Sequence, residues 1–162
     1  FGSPRIGLHG KSFKCWKFRS MVVDADERLD ALLASDPDAA REWAETQKLR
    51  NDPRITAIGR FLRKSSIDEL PQLVNVIRGE MSLVGPRPVT RGELTRYDLN
   101  AIHYLLVRPG VTGPWQVSGR SNSTYEKRVQ LDKTYALRRT FWSDALLLVK
   151  TVPAVLFGRG AV

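Results

Sequence analysis

The chain has 162 residues, 42% of them hydrophobic, enough for one globular core spanning 1–162. Its 26 Lys and Arg against 17 Asp and Glu leave a net charge of +9, which calls for an anionic partner: nucleic acid, an anionic membrane surface or a phosphorylated substrate. A single cysteine, Cys15, excludes a disulfide framework, and no stretch approaches the ~20 apolar residues that span a bilayer.

Residues 1–23 read as a hairpin followed by strand. Gly7, His9 and Gly10 supply the turn, and 11–21 alternates with the period of a strand. Phe13, Cys15, Lys17 and Arg19 then share one face, with Trp16 and Phe18 on the other. Residues 24–33 form an acidic helix, and a second starts at Pro37 with Asp36 as N-cap and runs to about residue 49. The pair reads as a solvated helical hairpin without chemistry. After a turn at Asn51-Asp52-Pro53, a helix over 55–63 has Ile55, Ile58, Phe61 and Leu62 on its apolar side. The next helix carries Leu70, Leu73, Val74 and Ile77 at i, i+3, i+4 and i+7 and stops at Gly79.

A short strand over 81–84 leads into Gly85-Pro86-Arg87-Pro88. Thr90 and Glu93 form a capping box for a helix reaching about residue 107. Residues 108–121 are a Gly- and Pro-rich loop holding Trp115. Ser123 and Glu126 cap a helix over 124–139, and a last apolar helix covers 143–157, interrupted by Lys150 and Pro153. The fold class is α+β and helix-rich, with a small strand or hairpin element near the N-terminus.

The adjacent carboxylates Asp68 and Glu69 carry two readings. In the structural one, Ser66 and Glu69 make a capping box, and Pro71, fit only for a first turn, sets Asp68 at or next to the N-cap. In the chemical one, Arg63 and Lys64 lie just upstream and Arg87 is braced between two prolines. A cap needs no ring of cations. A reaction between a carboxylate and a phosphate does, because two anions must meet against their repulsion. A guanidinium held by stiff neighbours suits two-point contact with phosphate. Mg²⁺ takes one or two carboxylates plus substrate phosphates, so Asp68 or Glu69 could supply its protein ligand. There is no Gly-rich phosphate loop and no Cys/His set for zinc, and His9 and His103 are isolated.

Several motifs occur in order: Lys17-Phe18-Arg19-Ser20-Met21, Asp52-Pro53-Arg54-Ile55-Thr56, Ser66-Ile67-Asp68-Glu69-Leu70-Pro71-Gln72 and Met81-Ser82-Leu83-Val84-Gly85-Pro86-Arg87-Pro88. Arg108-Pro109-Gly110-Val111-Thr112-Gly113 and Trp115-Gln116-Val117-Ser118-Gly119-Arg120 follow. Together they resemble the bacterial sugar transferase family, the monotopic polyprenyl-phosphate phosphoglycosyl transferases, over nearly the whole chain. The 115–122 loop and the ending Gly158-Arg159-Gly160-Ala161 resemble the larger members. Those begin exopolysaccharide or O-antigen repeat units by moving hexose-1-phosphate from a UDP-hexose to undecaprenyl phosphate.

The resemblance implies that Asp68 is the nucleophile, forming a sugar-phosphoryl-aspartate and releasing UMP. It implies a Mg²⁺ cofactor held by Asp68 and Glu69, with Glu69 either a ligand or an aid to the lipid phosphate. Arg63 and Arg87 would neutralise the diphosphate, Lys17 and Arg19 would serve the same anion site, and the family's Pro-Arg-Pro-x-x-x-x-Glu pattern is matched through Glu93. Family members carry a re-entrant membrane helix ahead of the position of Phe1, so the chain reads as a catalytic domain without its anchor, working at the cytoplasmic face of the bacterial inner membrane.

Phe141, Trp142 and residues 145–157, bordered by Arg138, Arg139 and Lys150, suit an interfacial helix on an anionic membrane surface as well as a core helix. The rival classes are a basic nucleic-acid-binding domain and a non-catalytic membrane-surface module. The first leaves Asp68 and Glu69 unexplained, since carboxylates repel a phosphate backbone, so nucleic acid is not an expected partner. The reading is compatible with a homodimer and with any UDP-hexose donor.

Overall fold

The structure, a computed structural model described for residues 1–46, 49, 51–119 and 124–156, opens with an antiparallel hairpin. Strand β1 (Gly2–Ile6) pairs with β2 (Ser12–Trp16), Ser3 opposite Cys15 and Arg5 opposite Phe13. Phe13 and Cys15 turn inward onto Met81, while Ser12 and Lys14 stay exposed. The strand ends at Trp16, short of the expected residue 21. From there the backbone bonds elsewhere: Trp16 N donates to Asn75 Oδ1, and Phe18 N donates to the carbonyl of Asp68.

Helices α1 (Ala25–Ser35) and α2 (Pro37–Thr46) pack on one another, and Asp36 Oδ1 accepts from the backbone N–H groups of Asp38 and Ala39. No residue of α1 is buried, as a solvated hairpin requires. The second helix does more than face water. Trp43 lies 5.0 Å from the guanidinium of Arg54, which in turn donates twice to the buried Asp52 carboxylate at 2.8 and 2.7 Å. That stack clips the helical hairpin to the rest of the molecule.

Helix α3 (Ala57–Lys64) is capped by Thr56, whose hydroxyl accepts from Gly59 N. Gly59 rests on the Ser20 carbonyl so closely that a Cβ would lie 1.9 Å from its oxygen. Ser66, left-handed with φ 57°, then breaks the chain into a 3₁₀ turn over Ile67–Glu69, and α4 (Gln72–Ile77) follows. The apolar rows of α3 and α4 do not form the core. Ile58, Phe61, Leu70, Leu73, Val74 and Ile77 are exposed, Ile77 to 87%, and the residues α4 buries are Gln72 and Asn75. The Asn75 amide causes this, because it accepts from Trp16 N and donates to Lys14 O and to Glu80 Oε2. Hydrogen bonds to β2 hold the polar side of α4 down and leave its apolar side out.

Strand β3 (Ser82–Val84) pairs in parallel with β4 (Gly110–Thr112), and α7 (Pro114–Val117) follows, where the sequence reading placed only a loop. The two segments run in backbone contact, a Cβ on Gly85 lying 2.4 Å from the Arg108 carbonyl oxygen. The Thr90–Glu93 capping box is present and starts α5 (Arg91–Thr95). The helix expected to reach residue 107 is interrupted by a 3₁₀ turn, Asp98–Asn100, with Asp98 left-handed at φ 47°, before α6 (Ala101–Leu105).

Helix α8 (Tyr125–Arg138) is capped by Thr124, while the Ser123 proposed for that role lies outside the described residues. Helix α9 (Phe141–Leu156) contains Pro153. Ile6, Val89, Tyr97, Tyr104 and Val129 form the main core, with the Tyr97 and Tyr104 rings edge to face at 5.5 Å. Tyr104 donates to Ile6 O at 2.8 Å and Tyr97 to Asp132 Oδ2 at 2.7 Å, so both phenols are satisfied. No described helix is long and apolar enough to cross a membrane.

Candidate active site

The bond from Phe18 N to Asp68 O ties the Ile67–Glu69 turn to the end of β2, and this sets Lys17 beside Glu69. Lys17 Nζ donates to Glu69 Oε1 at 2.6 Å, and Arg87 Nη1 reaches the same oxygen at 3.5 Å. Pro86 and Pro88 are buried on either side of Arg87 and aim it outward over the Trp115 ring, 5.6 Å from its centroid. The guanidinium of Arg128 lies 4.9 Å from that same ring. Arg63, in the last turn of α3, donates from Nε to Ser20 Oγ at 2.8 Å.

Asp68 is buried, yet no described residue bonds to its carboxylate. Burial, the largest influence, lifts its carboxyl above the ordinary range; Lys17, Arg63 and Arg87 pull it down through space, and Glu69 pushes it up. Nor is it a cap. Ser66 makes no capping bond, and α4 starts only at Gln72, with Pro71 ahead of it. A desolvated acid with no bonded partner, facing one Lys and two Arg, is poor structural design and suits a reactive group.

The cavity beside this turn is lined by Lys17, Glu69, Gln72, Arg87, Glu93 and Gln116, among others. It brings together Lys17, Glu69, Arg87 and Glu93 as expected, but Glu93 is anchored: Oε2 accepts from Thr90 N at 2.9 Å, and Oε1 lies 3.7 Å from Arg128 Nη1. An anion so placed shapes the cavity wall and does not itself hold phosphate. Arg19 stands apart. It is exposed, with its guanidinium over the Phe1 ring, because β2 ends before the alternation could carry Arg19 to the face of Lys17.

The sequence reading missed Gln72, Gln116 and Arg128. A signal existed for Gln72: it shares with Asn75 the side of α4 opposite the apolar row, but the row was the louder pattern. Among the described residues no three His, Cys, Asp or Glu side chains gather as a closed metal site. Two neighbouring carboxylates among cations instead fit a Mg²⁺ that arrives with a diphosphate supplying its other ligands.

A buried, unbonded carboxylate among cations, beside a polar cavity, suits group transfer in which a carboxylate meets a phosphate. The chain belongs to the bacterial sugar transferase family, whose sequence profile matches residues 1–158. It is 54% identical over 161 residues to the undecaprenyl-phosphate galactose phosphotransferase of Salmonella typhimurium, covering 99% of this chain and 34% of that protein. It is 52% identical over 161 residues to the exopolysaccharide production protein ExoY of Rhizobium meliloti, 99% of this chain and 71% of that protein. With the UDP-glucose:undecaprenyl-phosphate glucose-1-phosphate transferase of Escherichia coli it shares 38% identity over 160 residues, 94% of this chain and 31% of the relative. The chain thus spans about a third of the length of two of these relatives.

Proposed function

We propose that this chain is the catalytic part of an enzyme that transfers hexose-1-phosphate from a UDP-hexose to undecaprenyl phosphate, opening an exopolysaccharide or O-antigen repeat unit. The observation that carries the proposal is Asp68, a buried carboxylate that no described residue bonds and that Lys17, Arg63 and Arg87 face. An Asp68 oxygen attacks the phosphorus bonded to the sugar. The bond from that phosphorus to the bridging oxygen breaks, and its electron pair leaves with UMP. A phosphate oxygen of the lipid then attacks the same phosphorus, the bond to Asp68 breaks, and the carboxylate is restored. The sugar–oxygen bond stays intact, so anomeric configuration is retained, and ping-pong kinetics are expected.

Lys17 and Arg87, both drawn to one oxygen of Glu69, stand ready to meet the diphosphate when it enters, and Arg63 adds charge from α3. Mg²⁺, held by Asp68 and Glu69, would neutralise the diphosphate and support the departing charge. The lipid acceptor requires work at a bilayer. Ile58, Phe61, Leu70, Leu73, Val74 and Ile77 flank the Asp68 turn as an exposed apolar surface, with Arg60, Lys64 and Arg78 exposed among them. We assign this surface to the cytoplasmic leaflet of the inner membrane, where apolar side chains enter and cations meet anionic headgroups.

The test is Asp68→Asn in the intact protein, with UDP-hexose labelled in the sugar phosphate. Wild type should hold label covalently, and the mutant, equally stable, should hold none and lose several orders of magnitude in turnover. Turnover and labelling that survive the substitution would end the covalent mechanism.

A further inference from the structure

Gln72 opens α4 and is 2% exposed, yet its Oε1 accepts no hydrogen bond from any described residue. Interior amide oxygens are nearly always paired, so an unpaired one on a side chain that lines a cavity calls for a ligand. Asn75, one turn further on, shows the contrast: both ends of its amide are consumed in pinning α4 to β2. That pinning fixes the helix which carries Gln72 into the wall of the cavity that Lys17, Glu69, Arg87, Glu93 and Gln116 also line.

Two chemistries meet in this cavity. Lys17 and Arg87 are donors, and phosphate oxygens answer them. Gln72 Oε1 and the carboxylate of Glu93 are acceptors, and an ionised diphosphate has no proton to offer them. A hydroxyl does. A pyranose presents several on a rigid ring, and in the proposed reaction the sugar is bonded to the very phosphorus that Asp68 attacks, while the base lies at the far end of the UMP half.

We propose that Gln72 is a specificity-determining residue whose Oε1 accepts a hydrogen bond from one ring hydroxyl of the transferred sugar. The assignment rests on the reading of the protein as a UDP-sugar transferase. A sugar lacking that hydroxyl would leave Oε1 unpaired again, the circumstance in which a site discriminates most strongly.

The experiment measures dissociation constants on the intact protein in detergent for UDP, UDP-galactose, UDP-glucose and their single-deoxy analogues. In wild type, one deoxy analogue should bind roughly 10-fold or more weaker than its parent, the loss expected for an unpaired buried acceptor. In Gln72→Met, similar in size but without the amide, the parent should weaken by that factor, the deoxy analogue should not, and UDP should bind as before. A gap between parent and analogue that persists in Gln72→Met overturns the assignment, and so does an equal loss for UDP, which would give Gln72 to the nucleotide. The deoxy series on wild type needs no variant to fold: if no single hydroxyl matters there, Gln72 reads none. A protein that binds no UDP-sugar at all fails the transferase reading itself, whereas normal binding with the gap unaffected by Gln72→Met fails this assignment alone.

Discussion

Arg87 is held in place from three directions. Buried prolines stiffen the backbone on both sides, Trp115 lies under the guanidinium, and Glu69 Oε1 is 3.5 Å from Nη1. Little freedom is left to lose when a phosphate arrives, and this is how a charged side chain becomes effective in a transition state. Arg87→Ala should therefore cost about 2–4 kcal/mol of transition-state stabilisation, roughly 30- to 1,000-fold in kcat/KM. Its stability should shift by no more than about 0.5 kcal/mol in urea titrations, because the side chain is partly exposed. Wild-type turnover in the mutant would take Arg87 out of the mechanism. Asp68, Glu69, Arg63, Lys17 and Arg87 were legible in the sequence because charge clusters and paired prolines are visible without a fold. Gln72 was not, since a glutamine becomes informative only when burial removes its water and leaves one oxygen without a donor. Arg19 was misplaced because strand alternation carries a residue to a face only while the strand lasts, and β2 stops at Trp16.

Helix α8 meets α6 and α7 through a buried polar core. Arg128 lies near Glu93 and Asp132, over the Trp115 and Tyr125 rings, and Asp132 also accepts from Tyr97. Burial raises the Asp132 carboxyl to about 6, against the pull of the Tyr97 bond and of Arg128. The folded state thus holds a proton that the unfolded chain, titrating near 4, has already released. Stability from this group is full below about pH 4, falls as pH rises toward 6, and is level above it, by an amount on the order of 3 kcal/mol. Asp52 has the opposite sense: burial raises it, but the bonds and charge of Arg54 together hold it below the usual range, so its contribution is lost as pH falls. The two overlap in a single melt. The difference in unfolding free energy between wild type and Asp132→Asn, measured at pH 4.5, 5.5 and 6.5, isolates the first and should fall from pH 4.5 to 6.5. A flat difference would mean Asp132 is charged throughout. No feature of the sequence marks this cluster, since Tyr97, between α5 and the Asp98–Asn100 turn, meets Arg128 and Asp132 only after that segment packs on α8. Helix α4 was legible as an element but inverted in meaning, because its apolar periodicity reports amphipathicity and not which side is inside. Strand β4 escaped notice for another reason: three residues pairing through their backbone leave almost no side-chain pattern.

The whole molecule is basic, and it leaves a large apolar surface exposed around the buried Asp68 carboxylate, an unusual pairing for a protein that works in water alone. Two regions compete for the membrane role. One is the face of α3 and α4 beside Asp68; the other is the start of α9, where Phe141 and Trp142 are each 78% exposed. Charge and apolar area together predict that the chain binds vesicles containing anionic lipid, reversibly, and more weakly as salt rises, because each Lys or Arg near the surface contributes about 1 kcal/mol that screening removes. Sedimentation with such vesicles separates the regions. Replacing Leu73 and Ile77 with Asn removes two side chains that should enter the bilayer, each worth roughly 1.5–3 kcal/mol if fully buried, so binding should drop by at least about 10-fold. Thermal stability should change little, since Ile77 is 87% and Leu73 42% exposed in the free chain. Phe141 and Trp142 replaced by Ser provide the comparison. Loss confined to the α9 pair would move the membrane face to the start of α9, and loss from both pairs would extend one face across the two regions. Binding that neither pair weakens, or that ignores salt, would leave the exposed apolar rows to another partner and detach the site from the lipid acceptor it is proposed to use.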